Sequence, residues 1–243
     1  MLAGSVAGTL HFVPGGGGFT DPTDIGWHSL FWAEGPAFEA LSYSEGATLT
    51  SWPNETAEVD ATSVLSTPNY TASYTDLNNQ PAVVITATEG LQTGSFTSAP
   101  SYASGVSIVV VGRVGTAPAI IVDGIATSNR NAIFTSTGNV WAVFAGTTVT
   151  GSASNTDPHL FVGRFDGSTG TETLSVDGTS AASGAGGVQT LTGLSIGRQW
   201  SSTSTGVNGA VALVGIYEGD VTSDPLWSGF YSWVSSHYGV TLA

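Results

Sequence analysis

Ser195 is the residue whose surroundings most resemble a catalytic site, because residues 193–197 read GLSIG. This sequence matches G-x-S-x-G, in which a sharp turn from a strand into a helix exposes a nucleophilic serine. His159 or His237 would then act as the general base. The residues that follow, RQWSSTSTG, have no helical pattern. We therefore predict a strand with flanking glycines at Ser195, and no nucleophile.

Paired carboxylates could hydrolyse a glycosidic bond if they converged to within about 5 to 10 Å. Glu58-Val59-Asp60 has the E-x-D spacing that opens the E-x-D-x-x-E pattern of jelly-roll glucanases. That pattern fails here, because Ser63 stands where the last glutamate should be. We predict no catalytic residue and no enzyme activity, and a glycoside hydrolase is the least favoured of the functions considered.

Metal ligands show no recognisable spacing in this chain, which contains no cysteine. Its histidines are His11, His28, His159 and His237. None of them forms a pair such as H-x-x-x-H, so we predict no transition-metal site and no cofactor. Calcium needs only oxygen ligands, which Asp123, Asp166 and Asp177 could supply. Each of these aspartates precedes a glycine, however, and an Asp-Gly pair is typical of tight turns, which is the interpretation we favour.

The aromatic residues offer binding chemistry, because an indole ring can stack on a sugar. A tryptophan buries up to about 250 Å², worth about 6 kcal/mol as an upper bound, so the core is the expected place for most of the seven. Those assigned to the core are Trp27, Trp32, Trp52, Trp227 and Trp233. Trp200 lies in a Ser/Thr-rich loop, where packing against the sandwich edge is the favoured role. If the protein binds a glycan, we predict that Trp200 and Trp141 are the aromatics that contact it.

Composition excludes several classes of partner. Charged residues make up 9% of the chain, the net charge is −14, and the basic residues are four arginines with no lysine. Such a surface repels a polyanion, so nucleic acid is excluded as a partner. No apolar run approaches the roughly 18 residues of a membrane span, and the first residues, MLAGSVAGTLHF, lack the pattern of a signal peptide. We expect no insertion into a membrane.

Short strands separated by turn signals must position these residues, which is the pattern of a β-sandwich or barrel. The runs SIVVVGRV and AVALVGIY, within residues 107–114 and 210–217, are almost continuously apolar and predict central strands covered on both faces. The segment SDPLWSGFYSWVSSHYG has apolar residues at helical spacing and predicts one C-terminal helix ending at Gly239.

Several ordered sequence elements carry a resemblance to a known class of module. They include WAE at residues 32–34, WPN at 52–54, DAT at 60–62 and LNNQPAV at 77–83, followed later by HLFVGRFDG, LSVDG and LSIGR. In this order they resemble the laminin-G-like, concanavalin A-like jelly-roll modules of bacteriophage virion proteins. The resemblance covers residues 27–243 and implies an all-β, antiparallel jelly-roll sandwich with a short C-terminal helix.

Residues 1–26 are predicted to be an N-terminal arm with a flexible PGGGG joint. Within it Val6, Leu10 and Phe12 lie on the apolar side of an alternating strand pattern that has no partner in the arm. An isolated strand is not stable, so we expect these residues to anchor the protein by adding to a sheet edge of a capsid or tail subunit, or of a neighbouring copy.

The function implied by the resemblance is that of a non-enzymatic protein on the virion surface, either a capsid decoration protein or a minor tail protein. Its partners would be capsid or tail subunits and copies of itself. The alternative is a carbohydrate-binding module for host adhesion that recognises a surface glycan. The sequence leaves open the place on the particle, the oligomeric state, the identity of any glycan and the presence of a structural calcium ion.

Overall fold

The computed structural model describes residues 18–86, 88–115, 117–202 and 206–243. Val6, Leu10 and Phe12 lie outside these residues, so the role of the arm stays a prediction. The strands, in chain order, are β1 (Ser29–Trp32), β2 (Ser51–Trp52), β3 (Ala61–Ser63), β4 (Asn69–Tyr74), β5 (Gln80–Ile85), β6 (Leu91–Thr93), β7 (Val106–Arg113), β8 (Ala119–Asp123), β9 (Ala132–Thr135), β10 (Val140–Phe144), β11 (Thr148–Ala153), β12 (Pro158–Asp166), β13 (Thr171–Val176), β14 (Thr179–Ala185), β15 (Ser195–Ile196) and β16 (Gly209–Glu218).

The strands form two antiparallel sheets of eight strands each. Sheet A has the order β14-β13-β12-β7-β16-β5-β4, and β1 pairs with β16 beside β5. Sheet B has the order β11-β10-β9-β8-β15-β6-β3-β2. The architecture is an all-β sandwich of jelly-roll type, which confirms the predicted fold class. The apolar strands β7 and β16 are neighbours inside sheet A and are almost wholly buried, as their sequences predict.

Two apolar cores account for this burial. One lies between the sheets and includes Phe31, Trp52, Phe161 and Phe165. The other covers the opposite face of sheet A, where the helix α2 (Trp227–Tyr238) packs through Phe230 and other apolar side chains. Sheet A therefore has an apolar layer on each face, which explains why its central strands show no polar alternation.

The C-terminal helix α2 is confirmed, with ends close to those predicted. The Asp224 carboxylate accepts a 2.8 Å hydrogen bond from the amide of Leu226, the residue that precedes the first turn. Gly239 ends the helix in the left-handed conformation with φ of 70°, which favours glycine. A short helix, α1 (Pro36–Glu39), was not expected from the sequence. No helix in the described part of the chain is long and apolar enough to cross a membrane.

Residues 18–26 belong to the packed domain, which corrects the predicted boundary at residue 26. Phe19 lies 5.8 Å from Phe230 and 6.0 Å from Trp233, measured between ring centroids. Ile25 is buried in the same core. The physical reason is that α2 leaves apolar surface beside sheet A, and the residues after the glycines cover it. Any independent arm must end before Phe19.

Two of the three Asp-Gly pairs lie in turns, as predicted, and the third does not. Asp177 and Gly178 have φ of 54° and 84°, as the predicted type I′ turn between β13 and β14 requires. Asp166 accepts hydrogen bonds from the amide and hydroxyl of Ser168 in the loop before β13, which also confirms a turn role. Asp123 is different: it ends β8 with its side chain buried, so the tight turn predicted at residues 123–124 is wrong.

Gly124 supplies the physical reason for that correction. A Cβ atom at this position would lie 1.7 Å from the backbone oxygen of Asn129. Glycine is therefore needed for the close approach of two chain segments rather than for a positive φ.

Candidate functional site

Trp141, one of the two predicted glycan-contacting aromatics, lies in the core, and that prediction is wrong. The side chain is on β10 with 2% of its surface exposed, and its ring packs at 5.0 Å from Phe161 and 5.2 Å from His159. Alternation in the sequence of β10 places Trp141 on the same inward face as Val143. A ring enclosed between two sheets cannot stack on a sugar.

Trp200, the other predicted aromatic, is half-buried in the loop after β15. Burial raises the pKa of the Asp123 carboxyl overall, although the backbone amide of Trp200 lies near that carboxylate and lowers its pKa by favouring the ionised form. That carboxylate is fully buried and forms a bidentate interaction with Arg130, with contacts of 3.0 Å from Nε and 3.0 Å from Nη2. The Arg130 guanidinium also lies 4.6 Å above the ring of Phe144. The loop thus lies beside a buried ion pair. Trp200 lines neither the cavities beside α2 nor the cavity beside α1.

The residues considered for catalysis are not brought together. Ser195 lies on β15 and is fully buried, as expected for a strand residue. Its hydroxyl has no hydrogen-bond partner among the described residues. His159 contacts Asp177 at 2.6 Å through Nδ1 and Asn155 at 2.5 Å through Nε2, so both ring nitrogens are engaged without a nucleophile. His237 contacts Glu34 at 2.8 Å.

The E-x-D pair is also engaged in the fold. Glu58 accepts hydrogen bonds from the amides of Thr97 and Ser98, at 2.7 and 3.2 Å. Asp60 accepts a 3.0 Å bond from the amide of Asn54. Both carboxylates hold loops together. No group of three or more potential metal-ligating side chains occurs among the residues that the structure describes.

A groove lies beside α2 on the described surface. Its larger part has a volume of about 430 Å³ and lies between α2, strands β12 and β13, and the turn that contains Gly178. A second cavity of about 350 Å³ continues along α2 and shares Tyr231, Ser232 and Ala243 with the first. Both volumes fall in the range of about 300 to 1,000 Å³ that is usual for ligand sites. We call the two cavities together the α2 groove.

Two aromatic rings form the wall of the α2 groove. Trp227 and Tyr231 are one helical turn apart, which puts them on the same face of α2, and their ring centroids are 6.4 Å apart. The Tyr231 hydroxyl lies 3.1 Å from the backbone oxygens of both Asp177 and Ala243, and it can donate a hydrogen bond to either of them. Gly178 leaves room for this hydroxyl, since a Cβ atom there would approach it to 2.0 Å.

Serine and threonine residues line the rest of the α2 groove together with a few apolar residues, Val162, Leu242 and Ala243. Ser175 from β13, Thr222, Ser228 and Ser232 border the larger cavity. Ser235 and Ser236 extend the series into the smaller one. Neither cavity is lined by a charged side chain. A tyrosine hydroxyl is protonated at neutral pH. Burial and then the negative charge of Asp177 raise the pKa of Tyr231 further. The groove therefore offers aromatic faces and neutral hydrogen-bonding groups.

Sequence reasoning assigned Trp227 to the core and missed this groove. The apolar spacing of α2 includes Trp227, but only Phe230, Val234 and Tyr238 of the helix are buried. The available signal was the series of serines at 228, 232 and 235, which recur at helical spacing beside the two aromatics.

The fold and the groove define a class: a jelly-roll β-sandwich module with a neutral, aromatic-lined cleft. No protein family and no curated protein matches the chain in sequence. Among solved structures, it is similar to domain 4 of AbnA, a GH43 extracellular arabinanase from Geobacillus stearothermophilus, in complex with arabinotriose. The TM-score is 0.55 at 14% identity, covering 80% of this chain and 100% of that domain.

It is also similar to Trypanosoma rangeli sialidase in complex with sialic acid, with a TM-score of 0.54 at 13% identity. That match covers 84% of this chain and 32% of the sialidase, so the chain spans about a third of the larger protein. At these identities the similarity concerns the fold alone.

Proposed function

We propose that this domain is a carbohydrate-binding module that holds a neutral oligosaccharide in the α2 groove. The observation that carries the proposal is the pair of rings, Trp227 and Tyr231, set beside hydroxyls in a cavity without charged side chains. A sugar ring has an apolar C–H face that packs on an aromatic ring, and hydroxyls that exchange hydrogen bonds with serine and threonine. The groove supplies both kinds of contact.

The length of the α2 groove favours an oligosaccharide over a single sugar. The two cavities meet at Tyr231 and Ser232, and together they follow the helix from Trp227 to Ser236. The arabinanase domain of similar fold is in complex with arabinotriose, a neutral trisaccharide. Our assignment of the ligand rests on the chemistry of the groove, and that complex supports the choice of ligand class.

Calorimetric titration with a panel of neutral oligosaccharides from bacterial envelopes and plant cell walls tests the proposal. We expect Trp227→Ala to weaken binding about tenfold or more, because an aromatic contact contributes about 1 kcal/mol beyond the area it buries. Trp200→Ala is the matched control, since Trp200 does not line the groove. Equal losses in both variants, or no binding across the panel, would contradict the proposal.

The bound glycan is expected to stay intact. Glu58 and Asp60 are engaged by loop amides, and no aspartate or glutamate side chain lines the α2 groove. A reducing-sugar assay with the same oligosaccharides should therefore show no turnover. Release of reducing ends would revive the glycoside hydrolase alternative.

The setting we propose for this module is the surface of a bacteriophage particle, in a capsid decoration protein or a minor tail protein. This part rests on the resemblance of residues 27–243 and on the predicted anchoring role of Val6, Leu10 and Phe12. Removing residues 1–17 should leave the described domain folded and abolish its incorporation into particles. Normal incorporation of the shortened chain would contradict the anchoring role.

A further inference from the structure

A third, smaller cavity lies beside α1 and is also lined by one residue each of β4 and β5, Tyr70 and Pro81. Its volume is about 200 Å³, and Glu34, Phe38, Glu39, Tyr43 and Tyr70 contribute most of its lining. It shares no residue with the α2 groove. The volume is below the roughly 300 Å³ at which sites for drug-sized ligands begin, so the cavity suits a small head group.

Three aromatic rings form one side of this cavity. Phe38 lies 5.3 Å from Tyr43 and 5.3 Å from Tyr70, measured between ring centroids, and the two tyrosines are 6.3 Å apart. Phe38 is 2% exposed and also packs on Trp52, so the cluster has a rigid base. Tyr43 and Tyr70 are half-buried and present ring surface to the cavity. An aromatic face carries partial negative charge and attracts a cation.

Carboxylates surround the same rings. Glu34 is held in place by two donors to its Oε1 atom, the Nε2 of His237 at 2.8 Å and the hydroxyl of Tyr238 at 2.9 Å. Glu39 lies on α1, and Glu45 accepts bonds from Thr71 and Ala72. Burial, followed by the negative charges of Glu34, Glu45 and Glu39, raises the pKa of the Tyr70 hydroxyl.

Positive charge does not balance these acids. Glu39 and Glu45 form no ion pair with any described residue, and a protonated His237 would offset only Glu34. The cavity thus joins negative side chains to aromatic faces, which is the combination that recognises organic cations. A neutral sugar can donate hydrogen bonds to the carboxylates, but it carries no positive charge for the carboxylates and the rings to attract together.

We propose that this cavity binds the ammonium head group of a small organic cation, with the rings of Tyr43 and Tyr70 facing the cation and Glu39 and Glu34 supplying the opposite charge. The inference is independent of the glycan groove, because no residue is common to both sites. The protein would then bind a cation in this cavity and a neutral oligosaccharide in the α2 groove.

The test compares choline with its uncharged isostere 3,3-dimethylbutan-1-ol in ligand-observed NMR titrations of the full chain. Choline should bind saturably, and the isostere should bind at least about tenfold more weakly, because it lacks the charge that both the rings and the carboxylates recognise. Glu39→Gln and Tyr70→Leu should each weaken choline binding about two- to thirtyfold. Asp157→Asn is the control, since it removes one exposed negative charge outside the cavity.

Glu39 is exposed, so the Glu39→Gln protein is expected to fold normally, and it decides the outcome if Tyr70→Leu proves unstable. Equal affinity for choline and the isostere would overturn the proposal, since it would show that the charge is not recognised. So would an absence of choline binding, or an equal effect of Glu39→Gln and Asp157→Asn.

Discussion

Replacing Glu172 with glutamine should remove much of the decrease in stability that we expect this protein to show as the pH rises. Glu172 lies on β13 and is fully buried, and neither carboxylate oxygen has a hydrogen-bond partner of good geometry among the described residues. Burial raises the pKa of this carboxyl from 4.5 to about 7, and the nearby amide of Ala145 offsets a smaller part of that effect. The folded protein therefore holds a proton that the unfolded chain releases.

The size of the effect follows from this difference in pKa. Below pH 4.5 both states are protonated and Glu172 costs nothing. Between pH 4.5 and 7 the unfolded chain ionises while the folded protein does not, so the free energy of unfolding falls as the pH rises. Each unit of pKa difference corresponds to about 1.4 kcal/mol, so the loss is complete above pH 7 and amounts to about 3 kcal/mol.

Urea denaturation of the wild type and of Glu172→Gln at pH 4 and pH 8 measures this contribution. The amide does not titrate, so the stability of the variant relative to the wild type should increase by about 3 kcal/mol between the two pH values. Subtracting the wild-type value at each pH cancels the effects of the other acids, and comparing the two differences cancels any constant cost of burying the amide. An unchanged difference between pH 4 and pH 8 would refute the account of Glu172.

Three further substitutions test the structural assignments. Arg130→Met leaves the buried Asp123 carboxylate without its partner and should lower the free energy of unfolding by about 3 to 5 kcal/mol in urea denaturation. Gly178→Ala places a Cβ atom against the Tyr231 hydroxyl at a positive φ, and should cost about 1 kcal/mol or more and weaken oligosaccharide binding in calorimetry. Trp141→Ala should cost about 3 to 5 kcal/mol, seen as a lower denaturation midpoint, yet leave the affinity of the folded protein for oligosaccharides unchanged.

The central part of the fold could be predicted from the sequence because burial on both faces leaves a clear signal. Strands β7 and β16 lie in the middle of sheet A, and their apolar runs favour that position because both faces of the sheet are covered there. Strands β11 and β14 leave no clear signal in the sequence, for the opposite reason. Their sequences, TVTGSA and TSAASGA, are small and polar, and they lie at sheet edges where most residues face solvent.

The candidate site was harder to predict because it depends on how separate elements meet. Trp227 follows the apolar period of α2, and only its place beside Gly178 and the strands of sheet A leaves its ring beside a cavity. Trp141 could have been assigned correctly, since alternation with Val143 already places it inward. The pairing of Asp123 with Arg130 had no signal, because the close approach at Gly124 is a property of the folded chain.

The most direct test of the proposed function is to map a bound neutral oligosaccharide on the protein by NMR, following backbone amide shifts during a titration. The largest changes should fall on residues 227–236 of α2 and on the turn at Gly178, which border the α2 groove. The loop containing Trp200 should change little. Shifts centred on that loop or on sheet B, with α2 unaffected, would contradict the assignment of the α2 groove as the glycan site.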